Sequence, residues 1–394
     1  MPEPIIKRRF ELKSDRSYKF WSVEIKNGTL TINHGRIGNR GQIREKLFST
    51  EEEAKVHLDK EVRKKIKAGY REVIHQPPKL KSNAQLWEEL EPHEPFLQAI
   101  LEAPDGIENF MVYADWLMEQ NDPRGQFILS CLAAEDPQTP MREQTKHFKL
   151  SSEIQIANWR DWIGELSPFF EKHGYLISYH RGLVASLQLE SLGPSLASAL
   201  KNSPHCRMLR GLQIASTQLN TTTINLDGIQ YEADKNYGLQ PLFEADFGNL
   251  RSFKFSSRQT NANQPHYSFP RRRQTGIPVF EFIRQMPRLE SLSLDTLFDE
   301  SDYRFLFDSE LPNLSELELK DRFSNQPIEA LCRSNWMEQL RSLKLYCELD
   351  VEICELLADS LDPNLMDQIV VFRNRIPEEG LNTIEKTGVT VATI

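Results

Sequence analysis

Residues 314–319 read Leu-Ser-Glu-Leu-Glu-Leu, and this spacing of apolar residues recurs through the second half of the chain. Each copy has an apolar residue, a second one three positions later and a third after two more. Apolar residues that alternate with polar ones over a few positions are typical of a strand with one buried face. The copies are Val184-Leu187-Leu189, Leu209-Leu212-Ile214, Leu250-Phe253-Phe255, Leu289-Leu292-Leu294, Leu314-Leu317-Leu319, Leu340-Leu343-Leu345 and, more weakly, Met366-Ile369-Val371.

The copies begin 25, 41, 39, 25, 26 and 26 residues apart along the chain. A period of about 25 residues indicates one short strand per repeat, with neighbouring repeats stacked into a continuous core. The segment resembles divergent leucine-rich repeats, since the core spacing fits while a regular Asn is missing. The resemblance implies a curved solenoid over residues 184–394, and the broad surface of a solenoid usually binds another molecule.

The polar strand positions of the repeats are expected to face outward and to meet a partner. They carry no uniform charge, which argues against a second groove for a polyanion and favours a protein ligand. The predicted protein-binding residues are Gln213, Lys254, Ser293, Glu318 and Lys344.

The two long intervals predict insertions of about 15 residues relative to the usual repeat, at roughly 216–248 and 257–280. The second contains a triple arginine, residues 271–273, close to Tyr267 and Phe269. Arg272 is therefore a candidate contact to a phosphate or to an acidic protein. A solvated loop is the alternative interpretation.

Between residues 84 and 175 the apolar residues recur mostly at helical spacing, and Gln76-Pro77-Pro78-Lys79 precedes this segment as a linker. Acid–base chemistry is one interpretation of Asp115, Asp122 and Arg124, but no third group stands at a useful spacing. We therefore predict structural contacts, such as a buried Asp–Arg link that orients the turn. Four stretches of the segment are diagnostic: Phe96-Leu97-x-Ala99-Ile100-Leu101, Tyr113-Ala114-Asp115-Trp116-Leu117, Asp122-Pro123-Arg124-Gly125-Gln126-Phe127 and His180-Arg181-Gly182-Leu183.

These stretches resemble the repeat-companion domain of bacterial proteins, which typically precedes leucine-rich repeats. The resemblance implies a helical domain over residues 93–183, after a linker over residues 77–92. It implies no biochemical role for that domain.

The net charge differs sharply between the two parts of the chain. Residues 1–80 hold 19 Lys and Arg against 11 Asp and Glu, a formal charge of +8. The whole chain carries −9, so residues 81–394 carry −17. Such a split is typical of two modules with different partners, and the basic module is a candidate for binding a polyanion.

The basic module is predicted to be a small twisted sheet with one helix packed across it. Residues 21–25 alternate as a strand does, and Asn27-Gly28 is the strongest short signal for a hairpin turn. Residues 43–48 indicate a further strand. Thr50 and Glu53 form a capping-box pattern at the start of a helix. Its expected apolar face is Ala54, Leu58, Val62 and Ile66.

Several short motifs make this module recognisable: Phe20-Trp21, Asn27-Gly28, Gly35-Arg36-Ile37-Gly38, Gly41-Gln42 and Gly69-Tyr70. With them the module, placed at residues 1–76, resembles a WGR domain. In poly(ADP-ribose) polymerases this family helps to hold a broken DNA end, with the motif Trp and Arg against the sugar-phosphate backbone. The present chain has His34 where the family has Trp, while Gly35 and Arg36 match.

The substitution weakens one expected contact, because an imidazole offers a smaller face to a ribose than an indole does. Stacking on an aromatic side chain is worth about 1–3 kcal/mol per base. Guanidinium groups still match the geometry of phosphates. A solvated surface and a protein-docking surface are the alternatives to contact with DNA or RNA. The predicted nucleic-acid-binding residues are His34, Arg36, Arg40, Arg44, Lys46 and Lys64.

No constellation for catalysis is visible in the sequence. The five cysteines are scattered without zinc-ligand spacing, and we expect them to be reduced thiols of a cytoplasmic protein. No Walker A loop, HExxH, GxSxG or Rossmann fingerprint is present. We therefore expect no enzymatic activity, no catalytic residue, no metal, no cofactor, no small-molecule substrate and no membrane segment.

Together the patterns predict a multidomain α/β protein with a small α+β module, a helical connector and a repeat solenoid. The leading hypothesis is a non-enzymatic adaptor that binds DNA or RNA with residues 1–76 and a protein with the repeats. The alternative is a pure protein–protein scaffold, or a regulatory subunit of a bacterial stress or defence complex, without nucleic-acid binding.

Overall fold

The computed structural model describes residues 6–14, 17–26, 28–36, 42–73, 81–172, 176–218, 237–261, 264–269, 275–296, 298–299, 301–320 and 325–394. The chain divides into two compact units, Met1–Leu80 and Lys81–Ile394. Within the described ranges, every helix is too short or too polar to cross a membrane.

The N-terminal unit is an antiparallel sheet of five strands with a helix after the fourth. Its strand order is β4-β3-β2-β1-β5. Lys26 pairs with Thr29 and Gly28 has a φ of +73°, so the predicted hairpin is confirmed, while Asn27 of the predicted turn lies outside the described residues. The elements are β1 (Ile6–Ser14), β2 (Ser17–Lys26), β3 (Thr29–Arg36), β4 (Gln42–Leu47), α1 (Glu51–Lys67) and β5 (Arg71–Val73).

Helix α1 begins at the predicted cap. The Thr50 hydroxyl accepts a hydrogen bond from the backbone N–H of Glu53 at 3.2 Å. The Glu53 carboxylate accepts one from the N–H of Ser49 at 3.3 Å. These bonds satisfy N–H groups that have no partner inside the helix, which fixes where the helix starts.

One face of α1 packs on the sheet and forms the core of this unit with Phe10, Trp21, Val23, Ile25 and Leu30. The helix contributes Ala54, Leu58 and Val62, as predicted.

The prediction that Ile66 continues this face was wrong, because its side chain is 52% exposed. Residues spaced by four drift by about 40° around a helix at each step. The fourth residue of such a series has therefore turned far from the first.

The second unit begins with six helices, so the predicted helical segment is confirmed. The first of them lies inside the stretch that the sequence indicated as a linker. The side-chain amide of Asn83 donates to the backbone carbonyl of Ala199 at 2.8 Å and ties this helix to the rest of the unit. The helices are α2 (Asn83–Leu90), α3 (Glu94–Glu102), α4 (Ile107–Glu119), α5 (Pro123–Glu135), α6 (Met141–Ile163) and α7 (Ser167–Lys172).

Strands and helices then alternate to the end of the chain. The elements are β6 (Leu176–His180), β7 (Leu183–Leu189), α8 (Pro194–Lys201), β8 (Gly211–Ile214), β9 (Thr217–Gln218), β10 (Ser252–Ser256), β11 (Gln259–Asn261), β12 (Gln264–Phe269), α9 (Ile277–Ile283), β13 (Ser291–Asp295), α10 (Asp302–Phe307), β14 (Glu316–Lys320), α11 (Gln326–Cys332), β15 (Ser342–Leu345), α12 (Val351–Asp359), β16 (Gln368–Val371), α13 (Glu378–Glu385) and β17 (Thr390–Thr393).

Nine of these strands form one mixed sheet in the order β17-β16-β15-β14-β13-β10-β8-β7-β6. The β6–β7 pair is antiparallel and the other pairs are parallel, in chain order. Every apolar residue of the seven predicted copies is buried, which confirms the strand pattern. The second insertion contributes β11 and β12, which join β9 in a separate three-stranded sheet.

Small buried side chains follow several strands of the large sheet. The Ser216 hydroxyl donates to the carbonyl of Glu190 at 2.6 Å, and the Cys347 thiol donates to that of Leu319 at 3.8 Å. Thr296 shares a hydrogen bond with the hydroxyl of Tyr303 at 2.7 Å. Hydroxyl and thiol groups thus give hydrogen-bond partners to buried polar atoms beside the strand ends, as a buried core requires.

A two-residue turn, Arg181-Gly182, closes the β6–β7 hairpin and contacts the helices. Both residues have positive φ values, 47° and 89°. A Cβ on Gly182 would lie 2.3 Å from Cγ1 of Ile128 in α5. Arg181 donates to the Glu135 carboxylate at 2.9 Å and to the Asp105 carbonyl at 3.0 Å. The turn therefore holds the helical segment against the sheet through these contacts.

The carboxylate of Asp105 makes a second link between the helical segment and the sheet. It accepts from Arg210 at 2.7 Å and from Arg251 at 3.3 Å, and these arginines precede β8 and β10. Partial burial disfavours the charged carboxylate. The two arginines outweigh this effect and lower the pKa of Asp105 below its usual value of 3.8.

Replacement of Gly182 by Ala is expected to destabilise the second unit by about 2–4 kcal/mol, because it adds left-handed backbone strain to a clash with Ile128. Urea unfolding measures the change. The matched control is Gly388→Ala, which has nearly the same φ of +88° but meets only Pro363 at an ordinary 3.9 Å. That variant should lose about 1 kcal/mol. Equal losses in the two variants would contradict the proposed close contact.

The Asp105 links are expected to weaken in acid. The folded-state pKa lies below the unfolded value, so the stabilisation is complete above about pH 5 and is lost as the pH falls through the folded-state pKa. Asp105→Asn should cost up to about 1 kcal/mol at pH 7, since the carboxylate is largely exposed. At pH 3 the cost should be smaller. Urea unfolding at both pH values tests this, and an equal cost at both would refute it.

Candidate nucleic-acid interface

The sheet register places three predicted contact residues on one face of the N-terminal unit. His34 pairs with Trp21 of β2 and with Gln42 of β4. Arg44 pairs with Ile32, and Lys46 with Leu30. Since alternate residues of a strand point to the same side, His34, Arg44 and Lys46 lie on the face that carries α1. We call these three residues the β3–β4 strip.

The β4 part of this strip is open, whereas the centre of the sheet is covered by α1. All six side chains of β4 are exposed. The buried residues beneath α1 come from β1, β2 and β3. The helix therefore protects the core and leaves the side chains of the last strand accessible.

The cations of the strip are available to a ligand. Arg44 makes no ion pair within the described part of the chain, and the ammonium of Lys46 lies 5.0 Å from the centroid of the Phe48 ring. Lys64 differs, because it lies on α1 and its ammonium contacts the Glu61 carboxylate at 2.7 Å. The structure thus brings Arg44 and Lys46 together with His34, while Lys64 is already paired.

Three other predicted contacts lie partly or wholly outside the described residues. The backbone of Arg36 occupies the next register position after His34 on the same face, opposite Lys19. Its side chain lies outside the described residues, and so does the whole of Arg40. Arg272 of the second unit is likewise outside them.

Trp21 does not replace the missing motif tryptophan, because its indole belongs to the core. It is 3% exposed and packs against Phe10 with ring centroids 5.3 Å apart. The Lys65 ammonium lies 5.6 Å from the indole and 5.0 Å from the Tyr70 ring. The Nδ1 atom of the neighbouring His34 is buried and finds no hydrogen-bond partner among the described residues.

The five predicted protein-binding residues form one row across five strands of the large sheet. Consecutive members of the row are register partners across β8, β10, β13, β14 and β15. The structure therefore brings together side chains that are widely separated in the sequence. The row is Gln213, Lys254, Ser293, Glu318 and Lys344.

The expectation that Ser293 is exposed was wrong, since it is only 8% exposed. Its hydroxyl donates to the carboxylate of Glu318 at 2.5 Å, and Lys320 contacts the other oxygen of that carboxylate at 3.0 Å. Partial burial opposes ionisation of Glu318, but these two bonds outweigh it and lower the pKa of the carboxyl. Of the other four residues, Lys254 is exposed, and Gln213, Glu318 and Lys344 are partly buried.

Sequence reasoning missed two aromatic residues next to this row. Tyr346 and Phe372 follow β15 and β16, with ring centroids 4.8 Å apart. The ammonium of Lys320 lies 4.9 Å from the centre of the Tyr346 ring. The sequence contains a signal for these two residues. The position directly after a repeat core is usually polar, but in the last two repeats it holds Tyr346 and Phe372.

The hydrogen-bonded turn at α5 confirms the predicted Asp122–Arg124 pair. The two side chains are joined by bonds of 2.5–3.1 Å, and the Asp122 carboxylate also accepts from the backbone N–H of Arg124 at 2.8 Å. None of the five cysteines forms a disulfide bond, and burial raises the pKa of Cys206 to about 12. Within the described ranges, no group of three or more His, Cys, Asp or Glu side chains is placed to hold a metal ion.

Comparison with known proteins identifies the N-terminal unit. Residues 7–77 match the family model of the WGR domain, so this segment is a WGR domain and the predicted resemblance is confirmed. Such a domain is a module of the nucleic-acid-binding type. The resemblances of residues 93–183 to the repeat-companion domain and of residues 184–394 to leucine-rich repeats stay predictions.

Two individual proteins are also similar. The uncharacterised protein YfeS of Escherichia coli K12 is 33% identical over 67 residues, which cover 17% of this chain and 28% of that protein. A crystal structure of a Bacteroides fragilis protein aligns over 99% of this chain and 96% of its own, with 16% identity and a TM-score of 0.33. The latter likeness is too weak to indicate a shared fold.

Replacement of Ser293 by Ala is expected to cost about 1–2 kcal/mol, because it removes a hydrogen bond to a charged, partly buried carboxylate. Urea unfolding at pH 7 measures the loss. Ser291→Ala, two residues earlier on the same strand face, is the control and should change stability by less than about 0.5 kcal/mol. A neutral Ser293→Ala variant would show that the short bond contributes nothing.

Proposed function

We propose that the chain is a non-enzymatic adaptor whose WGR domain contacts DNA or RNA through the β3–β4 strip. The observation that carries this proposal is the open β4 strand, where Arg44 and Lys46 are exposed on the same face as His34. Unpaired cations on one face are the usual contacts to phosphate groups. The charge of the segment, +8 over residues 1–80, attracts a polyanion.

The departure from the family motif supports a particular kind of binding. His34 offers less stacking surface than Trp, and the indole of Trp21 is buried. Affinity would therefore rest mainly on phosphate contacts. Binding of that kind depends strongly on salt and weakly on base sequence.

Arg44→Ala combined with Lys46→Ala is expected to weaken binding of the full chain to duplex DNA, single-stranded DNA or RNA. The slope of log K against log salt concentration should fall in magnitude by about 2, one for each lost phosphate contact. Fluorescence anisotropy over a salt series measures both quantities. Arg142→Ala combined with Lys149→Ala, on helix α6 of the second unit, removes the same charge elsewhere and should leave the slope unchanged.

Lys64→Ala should have less effect than either strip residue alone, because Lys64 is already paired with Glu61. If the wild-type chain fails to bind any of the three nucleic acids at low salt, the nucleic-acid half of the proposal is refuted. An unchanged slope in the double variant would refute the placement of the contacts on β4.

For the second unit we propose that the large sheet is an arrangement of divergent leucine-rich repeats that binds a protein. The parallel strands in chain order and their buried apolar triplets support this proposal. The predicted row mixes both signs of charge and ends next to Tyr346 and Phe372. Aromatic side chains within a polar surface are typical of protein interfaces.

Lys254→Glu combined with Lys344→Glu is expected to abolish recovery of a stoichiometric protein partner when the chain is purified from its native host. Nuclease treatment should not affect that recovery in the wild type. Arg142→Glu combined with Lys149→Glu is the control with the same charge change away from the sheet. Equal recovery in all three would argue against the row as the binding surface.

The loss of the motif tryptophan favours one alternative, a protein scaffold or regulatory subunit that binds no nucleic acid. This alternative predicts a nuclease-resistant partner together with no salt-dependent binding of DNA or RNA. The two experiments above therefore distinguish it from the adaptor.

A further inference from the structure

Strand β4 forms one edge of the sheet in the N-terminal unit, and among the described residues no strand lies on its outer side. The backbone N–H of Phe48, directly after β4, donates to the carbonyl of Gly28 at 3.0 Å. Along an antiparallel pair of strands, residues that exchange hydrogen bonds alternate with residues whose backbone groups point away from the partner. Counting back from Phe48, the N–H and C=O groups of Ile43, Glu45 and Leu47 therefore point to the open side of β4.

These outward backbone groups have no hydrogen-bond partner within the described part of the chain. The three residues make no backbone hydrogen bond to any described segment besides their pairing with β3. An edge of this kind is a template on which a further strand can form. Addition of an extended peptide to such an edge is a recurrent mode of peptide recognition.

The side chains of the same three residues lie on the sheet face opposite α1. Those of Ile43 and Leu47 are 63% and 77% exposed. Their register partners on β3 are the polar residues Asn33 and Thr29, and both apolar side chains lie outside the core of the unit. Side chains directly opposite each other on neighbouring strands interact. An added strand therefore gains from apolar residues placed opposite Ile43 and Leu47.

The two cations of β4 lie on the other face, next to α1. Arg44 makes no ion pair within the described ranges, and the ammonium of Lys46 contacts only the Phe48 ring, at 5.0 Å from its centroid. Opposite charges on neighbouring strands stabilise the pair. An added strand therefore also gains from acidic residues placed opposite Arg44 and Lys46.

The charges of β4 argue against a second copy of the same strand as its partner. A twofold axis brings identical surfaces together, and two copies of an edge strand then pair antiparallel. Two such registers have the longest overlap. One places Arg44 opposite its own copy, and the other places Glu45 opposite its own copy and Arg44 opposite Lys46. Like charges directly opposite each other destabilise a strand pair.

We propose that the open edge of β4 binds an extended segment of a partner protein in which apolar and acidic residues alternate. The segment adds to the sheet as a further strand, and its acidic side chains lie next to Arg44 and Lys46. The proposed contact to nucleic acid uses the same two cations, so the segment and a nucleic acid compete for β4. The peptide site itself does not depend on nucleic-acid binding.

A fluorophore-labelled synthetic peptide, Gly-Val-Glu-Thr-Glu-Val-Gly, tests the site on the full chain. Fluorescence anisotropy should show saturable binding. The control peptide Gly-Val-Lys-Thr-Lys-Val-Gly should bind more weakly by about tenfold or more, because it places like charges opposite the two cations. Equal affinity for the two peptides overturns the proposal, and so does a failure of the acidic peptide to bind at millimolar concentration.

The variant Glu45→Pro separates strand addition from a general attraction between charges. Proline removes the outward N–H at this position and no hydrogen bond to β3, and edge strands tolerate proline where the N–H faces solvent. The variant should bind the acidic peptide more weakly by about tenfold or more. Glu45→Val removes the same charge, keeps the N–H and should bind at least as tightly as the wild type. Equal binding by the two variants overturns the proposal.

Amide hydrogen exchange in the wild-type chain gives a readout that needs no variant to fold. The acidic peptide should slow exchange at Ile43, Glu45 and Leu47. Exchange at Arg44 and Lys46 should change little, since their N–H groups already bond to β3. Bound peptide without protection of the three outward N–H groups overturns the proposal. Because these measurements contain no nucleic acid, a failure of the proposed nucleic-acid contact leaves them unaffected.

Discussion

The turn Arg181-Gly182 is the constraint on which the second unit depends. Both residues occupy the left-handed region of backbone conformation, and the glycine leaves no room for a side chain beside Ile128. This turn sets the position of β7, and the remaining parallel strands follow β7 in chain order. Arg181 and the Asp105 links join the same edge of the sheet to the helices. One tight turn thus places two structural layers relative to each other.

In the N-terminal unit, the extent of helix α1 decides which charges are accessible. The helix buries the aromatic and aliphatic residues of the central strands and does not cover β4. Arg44 and Lys46 are therefore exposed although they share a face with the core. The geometry that stabilises the domain also creates the open cationic edge on which the proposed function rests.

Much of the fold followed from local patterns. The apolar triplets, the Asn-Gly turn and the Thr50 cap depend on residues that are close in sequence, and periodicity reports them well. The site was less predictable. Trp21 is enclosed by Phe10 and Lys65, and Ser293 is covered by Glu318, a residue 25 positions away on the next strand. Periodicity says which face a residue occupies but not what covers that face.

The sequence by itself determined the strand pattern, the charge division, the WGR domain and the helical character of the middle segment. Each of these follows from residue type and spacing within a window of a few dozen residues. The tertiary structure alone decided which polar side chains stay accessible, which are paired, and which backbone groups of β4 lie at an open edge. The physical reason is that burial is a property of contacts between distant segments, and only the folded chain brings those segments together.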